Sequence, residues 1–195
     1  MRIVTVKRFL MFILLFFLFN IQNLHSPTVN ISIAERVNSI EYQIKAIQWY
    51  QIYELIVQSI KMQEGFMPYK YYCPAGFLTI GYGHKITEQM HFYQPVSQQE
   101  AEELLRKDLD SAINFVRNTT NLNHIQLLSI AHLVYNIGVG NFYNSTLRQL
   151  ILQNKPIDDE IIKWIHFRAP SGTIIRSTHL LQSRKFELNL FNSFI

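Results

Sequence analysis

The sequence predicts an α+β fold: one long helix, a small β-region, then a larger helical lobe. Three observations predict it. Apolar residues recur at helical spacing up to Glu64. Glycine and proline punctuate the short stretch that follows, and from Ser97 onward apolar faces alternate with helix-capping residues. Hydrophobic content of 48%, with 13% aromatics, is enough for a sizeable core.

Charge and cysteine usage exclude more than they suggest. Residues 1–26 take three of the 18 basic residues and no acid, leaving 15 against 14 in the remainder. The basic pI therefore says little about the folded part, and no basic stripe marks a nucleic-acid surface. One cysteine, Cys73, excludes an internal disulfide. No His, Cys or Asp cluster has metal-ligand spacing, so neither metal nor cofactor is expected.

Taken in order, residues 1–26 have a basic start, an apolar run from Phe9 to Ile21 broken only by Asn20, and a polar end at Ser26. That is the layout of a secretory signal peptide, and the run is short for a membrane span. Export, secreted or periplasmic, is expected. Membrane attachment through residues 9–21 is expected only if the segment is retained. Residues 27–38 read as a spacer and 39–195 as the folded domain, expected to be a monomer. From about Ser39 to Gln63, Ile40, Ile44, Ile47, Tyr50, Leu55, Ile56 and Ile60 mark an amphipathic helix. Gly65 and Pro68 lie just beyond, so Glu64 falls at or near its C-terminal end.

Residues 66–86 read as turns and short strands. Pro74 and Gly76 punctuate, Phe77 to Ile80 is strand-like, and Gly81-Tyr82-Gly83 permits a tight reversal. Ser97 followed by Glu100 is a capping-box pattern. It opens a helix whose apolar face holds Leu104, Leu105, Leu109, Ala112, Ile113 and Val116. A second helix spans roughly His124 to Asn136 and stops near Gly138 and Gly140. Ser145 or Thr146 caps a third. Pro156 and Asp158 open a fourth, through Trp164. Ala169 to Gly172 reads as a loop, and Leu180 to Phe191 as the last helix.

The chemistry concentrates between Glu64 and His84, 21 residues with four glycines and the single cysteine. A carboxyl between an apolar helix and a turn is partly desolvated. Its pKa rises and it can donate a proton near neutral pH. Glu64 is therefore a candidate acid, although a lone Glu at a helix end is more often an exposed surface residue. Cys73 is a reactive thiol, an intermolecular bridge or an inert buried residue. His84 with Cys73 matches two members of a cysteine–histidine pair, but nothing supplies the third, orienting group.

This stretch resembles the active site of the phage-type lysozymes, glycoside hydrolase family 24. Glu64, then Cys73, then Thr79 stand at that family's spacing, and Thr79-Ile80-Gly81-Tyr82-Gly83-His84 is complete. The likeness continues through Tyr135-Asn136-Ile137-Gly138, Ser145-Thr146-Leu147, Trp164 and the segment from Leu180 to Phe191. It implies a lysozyme-like fold: a small β-hairpin lobe and a larger helical lobe, with the site in the cleft between them. It implies an endolysin-type N-acetylmuramidase that cleaves the β-1,4 bond of bacterial peptidoglycan. Residues 39–195 would be the catalytic domain. Glu64 would be the general acid, Cys73 would hold the position of the second group, often Asp, and Thr79 would help place the attacking water. The resemblance also implies a His84–Asp108 ion pair. Two other readings are open. A lytic transglycosylase would use Glu64 alone, and a wall-binding homologue would have lost the chemistry. The chain departs from the family where His179 replaces a Gly, and where Ser183-Arg184 replaces an arginine pair that supports the acid.

Overall fold

The computed structural model describes residues 32–92 and 95–193. The apolar run at 9–21, and with it the expected export signal, lies outside the described residues. Among the described residues no helix is long and apolar enough to cross a membrane.

The chain forms two units, one up to Ile44 and one from Lys45 onward. In the first, the described residues are the opening turns of helix α1 (Ile33–Glu64). Residues 33–38 of the expected spacer are therefore helical. Ser32 explains the early start. Its Oγ accepts from Glu35 N at 3.2 Å, and Glu35 Oε2 accepts from Ser32 N at 2.8 Å. Each satisfies a donor that the helix itself leaves orphaned. Ile33, Val37, Ile40 and Ile44 are exposed.

In the second unit α1 buries Ile56, Val57 and Ile60, while Tyr50 and Leu55, expected on its apolar face, are exposed. The chain then forms a three-stranded antiparallel sheet in sequence order: β1 (Met67–Tyr72), β2 (Leu78–Gly81) and β3 (His84–Lys85). Tyr71 stands opposite Thr79, and Ile80 opposite His84. Gly81 seats this sheet on helix α2 (Gln98–Thr119). It adopts φ +69°, and a Cβ there would come within 2.9 Å of Ala101 Cβ.

Helix α2 begins with the expected capping box between Ser97 and Glu100. Helix α3 (His124–Ile137) is capped by Asn123 and ends at Gly138. Nine of its fourteen residues are buried, an almost unbroken run. A helix buried all round is a central one, and α3 packs against both α2 and the last helix. The short helices α4 (Val139–Tyr143) and α5 (Thr146–Leu152) follow. Ser145 caps α5, accepting from Arg148 N at 3.0 Å.

One expectation needs correction here: the fourth predicted helix is only one turn, α6 (Asp158–Ile161), and does not reach Trp164. The loop expected at Ala169–Gly172 is present, as the turn of a hairpin whose strands, β4 (His166–Arg168) and β5 (Ile174–Arg176), the sequence did not mark. Strands of three residues give no alternation to read, and all of β5 is exposed. The hairpin tip reaches the β1–β2 turn: a Cβ on Gly76 would lie 3.0 Å from Pro170 Cγ. Helix α7 (Thr178–Asn192), capped by Ser177, closes the fold.

Candidate active site

Glu64 is the last residue of α1. Ion pairs lace that end of the helix to α2. Arg106 of α2 donates to both oxygens of Glu54, at 2.7 and 3.0 Å. Glu102 accepts from Arg106 at 2.7 Å and also from Lys61. Bidentate guanidinium–carboxylate pairs fix geometry as well as charge.

Gly83, at the turn from β2 into β3, holds the acid from the other side. It adopts φ +84°, and a Cβ there would lie 3.2 Å from Glu64 Oε2 and 3.4 Å from Cδ. The two glycines of the Ile80–Gly83 turn thus have separate reasons. Gly81 lets the sheet sit on α2, and Gly83 lets backbone close on the carboxyl. Burial pushes the Glu64 carboxyl above the ordinary carboxylate range; the charges of His179 and then His132 pull it back in part. Tyr135 of α3 lies on the same side. Its hydroxyl donates to the Tyr82 carbonyl at 3.0 Å. Burial, then the carboxylates of Asp108 and Glu64, push the phenol pKa up, so it stays a neutral donor.

Cys73 and Thr79 come together through strand register. Tyr71 opposes Thr79, and the ladder continues as Cys73 N donates to Phe77 O at 2.9 Å. Period-two alternation therefore puts Tyr71, Cys73 and Thr79 on one face of the hairpin. Thr79 is buried, and its Oγ1 donates to the Tyr71 carbonyl at 3.2 Å. With its proton so used, the oxygen keeps lone pairs to accept from a water. Cys73 is half-buried and free.

His84 Nδ1 lies 2.7 Å from Asp108 Oδ2, the pairing of residues that the resemblance implied. Its Nε2 lies 3.3 Å from Met90 Sδ. Both ring nitrogens are engaged, which leaves no Cys73–His84 couple. Arg184, whose reach to Glu64 the sequence left open, is turned to Glu187 at 2.8 and 2.9 Å. It also donates to Asn136 Oδ1 and to the Trp164 carbonyl. Among the described residues, no group of three or more His, Cys, Asp or Glu is gathered to hold a metal ion.

The model of the family described as phage lysozyme matches residues 61–185, which runs from the acid through Arg184. The chain belongs to the phage lysozyme family. As a phage lysozyme it is a glycoside hydrolase whose substrate is peptidoglycan. It is 32% identical over 143 residues to an endolysin of Acyrthosiphon pisum secondary endosymbiont phage 1, covering 69% of this chain and 92% of that one. Among solved structures it resembles the muramidase domain of SpmX from Asticaccaulis excentricus, with TM-score 0.60 and 25% identity over 71% of this chain and 95% of that one. It shares its fold with the endolysin from Escherichia coli O157:H7 phage FAHEc1, at TM-score 0.60 and 20% identity over 72% of this chain and 92% of that one. The lysozyme-like α+β architecture is therefore as the sequence predicted.

Reading the lysozyme motif alone missed His132 and Glu187. A signal for Glu187 was present: it stands three residues after Arg184 on a helix, a spacing that pairs opposite charges. His132, inside an apolar helix, had no such partner in the sequence.

Proposed function

We propose that this lysozyme is an N-acetylmuramidase that hydrolyses the β-1,4 bond between N-acetylmuramic acid and N-acetylglucosamine. In this reading Glu64 is the general acid. The observation that carries the proposal is the placement of its carboxyl: half-buried at a helix end, closed against Gly83, and pushed toward the protonated form by burial. A protonated carboxyl gives its proton to the bridging oxygen as the glycosidic bond breaks. Water, accepted by the free lone pairs of Thr79 Oγ1, adds to the anomeric carbon. The proton it loses restores Glu64 at the end of the cycle. Cys73, on the same hairpin face as Thr79, supplies the second group beside the oxocarbenium-like centre. The basic start and apolar run of residues 1–26 support export to the wall where the substrate lies.

The test is the chemistry of the ends released from purified peptidoglycan. New N-acetylmuramic acid reducing ends, abolished by Glu64→Gln, are expected. Anhydro ends would make the protein a transglycosylase. Wall binding without release would make it a homologue that keeps the shape alone.

A further inference from the structure

The opening turns of α1 carry an apolar stripe that the reaction does not use. Ile33, Val37, Ile40 and Ile44 are spaced by four, three and four residues, and they are between 46% and 82% exposed. That spacing keeps all four on one side of a helix, in the heptad repeat of a coiled-coil seam. Val37 and Ile44 then stand at the a positions, and Ile33 and Ile40 at d. Away from the seam the helix is polar apart from Tyr42 and exposed throughout. A helical segment this short is marginal until its apolar side packs against something.

The charges that flank the stripe say what covers it. Arg36 holds a g position, and Glu41, five residues on, holds an e position. Side chains at g and e lie beside the seam and pair across it, which sets partner and orientation. In parallel strands a g residue faces the e residue five positions later on its neighbour. Arg36 of one copy therefore meets Glu41 of the next, and every copy supplies both halves. Antiparallel strands on the same seam would set Arg36 beside Gln43 and Glu41 beside Ala34, with neither charge answered. Within one helix, residues five apart are not neighbours, so the two cannot satisfy each other. Among the described residues neither side chain takes part in a salt bridge.

We propose that the opening turns of α1 form a parallel coiled coil between copies of this chain, with Ile33, Val37, Ile40 and Ile44 as its seam and Arg36–Glu41 as its interchain ion pair. Branched residues at both a and d favour three strands over two. The seam is short, so the bundle is weak and depends on concentration. The monomer expected from the sequence is then its dilute form. Self-association of this kind is independent of which residue is the general acid.

The experiment is sedimentation equilibrium of the full chain across a range of concentrations, for wild type, Ile40→Asp, Arg36→Glu and the swapped pair Arg36→Glu/Glu41→Arg. The wild-type mass should climb from one chain toward three. Ile40→Asp, which puts a carboxylate into the seam, should stay a single chain. Arg36→Glu sets like charges face to face at every interchain pair and should raise the dissociation constant by about tenfold. The swapped pair sets opposite charges together again and should return close to wild type. If Ile40→Asp unravels the segment, the two charge variants still decide. A wild type that stays a single chain at every concentration overturns the proposal. So does association that Ile40→Asp leaves unchanged, which would put the contact elsewhere, on the apolar run at residues 9–21 first of all. A swapped pair no tighter than Arg36→Glu overturns it too, because the two charges then do not meet across the seam.

Discussion

Gly83→Ala places a methyl group where the backbone now closes on the acid. Two effects follow, and they separate cleanly. The first is conformational. Gly83 sits at φ +84°, and an L-residue there is strained by about 1–2 kcal/mol. The second is contact. The new carbon would stand 3.2 Å from Glu64 Oε2, tighter than ordinary contact, with Cδ at 3.4 Å and Cγ at 3.5 Å on the edge of it. The carboxyl must give way by roughly 0.3 Å. Misplacement by about 1 Å can take ~100-fold from a rate, so a third of that is worth about fourfold. Gly172→Ala is the control. Gly172 has φ +86° and no heavy atom within 4 Å of a built Cβ, so it carries the strain without the contact. Thermal melts and initial rates on peptidoglycan are measured for both. Both should lose a few degrees in Tm, and only Gly83→Ala should lose kcat, by about fourfold. If Gly83→Ala and Gly172→Ala lose the same Tm and both turn over at the wild-type rate, Gly83 does not hold the acid.

Glu64→Gln should raise Tm at pH 7 by a few degrees. Burial lifts the folded carboxyl above its ordinary value of 4.5, so the folded state binds the extra proton and stability falls as pH rises through that window. Below about pH 4.5 both states are protonated, and the melting curves of Glu64→Gln and wild type should converge. Cys73→Ala should lower kcat by at least about tenfold, and Cys73→Asp should restore much of the loss, because a carboxylate serves the same cationic centre. Equal rates for both variants would remove Cys73 from the reaction. Phe142→Ala, emptying a fully buried site, should destabilise the fold by about 3–5 kcal/mol in urea titrations.

Most of the helical lobe was legible because its longer helices carry their own start and stop signals. Ser97 with Glu100 and the stop at Gly138 are chemical marks, and the structure obeys them. The length of α1 was misread at its start because the Ser32–Glu35 cap lies ahead of the apolar pattern. The β4–β5 hairpin was missed because three-residue strands lack periodicity, and Ile174 and Ile175 are exposed. At the site, the sequence marked Glu64, Cys73 and Thr79, and register puts the last two on one hairpin face. It could not join His132 to Glu187. Glu187 lies 55 residues from His132, and no local rule joins residues that only packing brings together.

The close approach of Gly76 and Pro170 brings together two turns that come from opposite halves of the sequence. Both residues are exposed, and the missing side chain is what allows the approach: a Cβ at Gly76 would lie 3.0 Å from Pro170 Cγ, so any larger residue there presses the tip of the β4–β5 hairpin away from the β1–β2 turn.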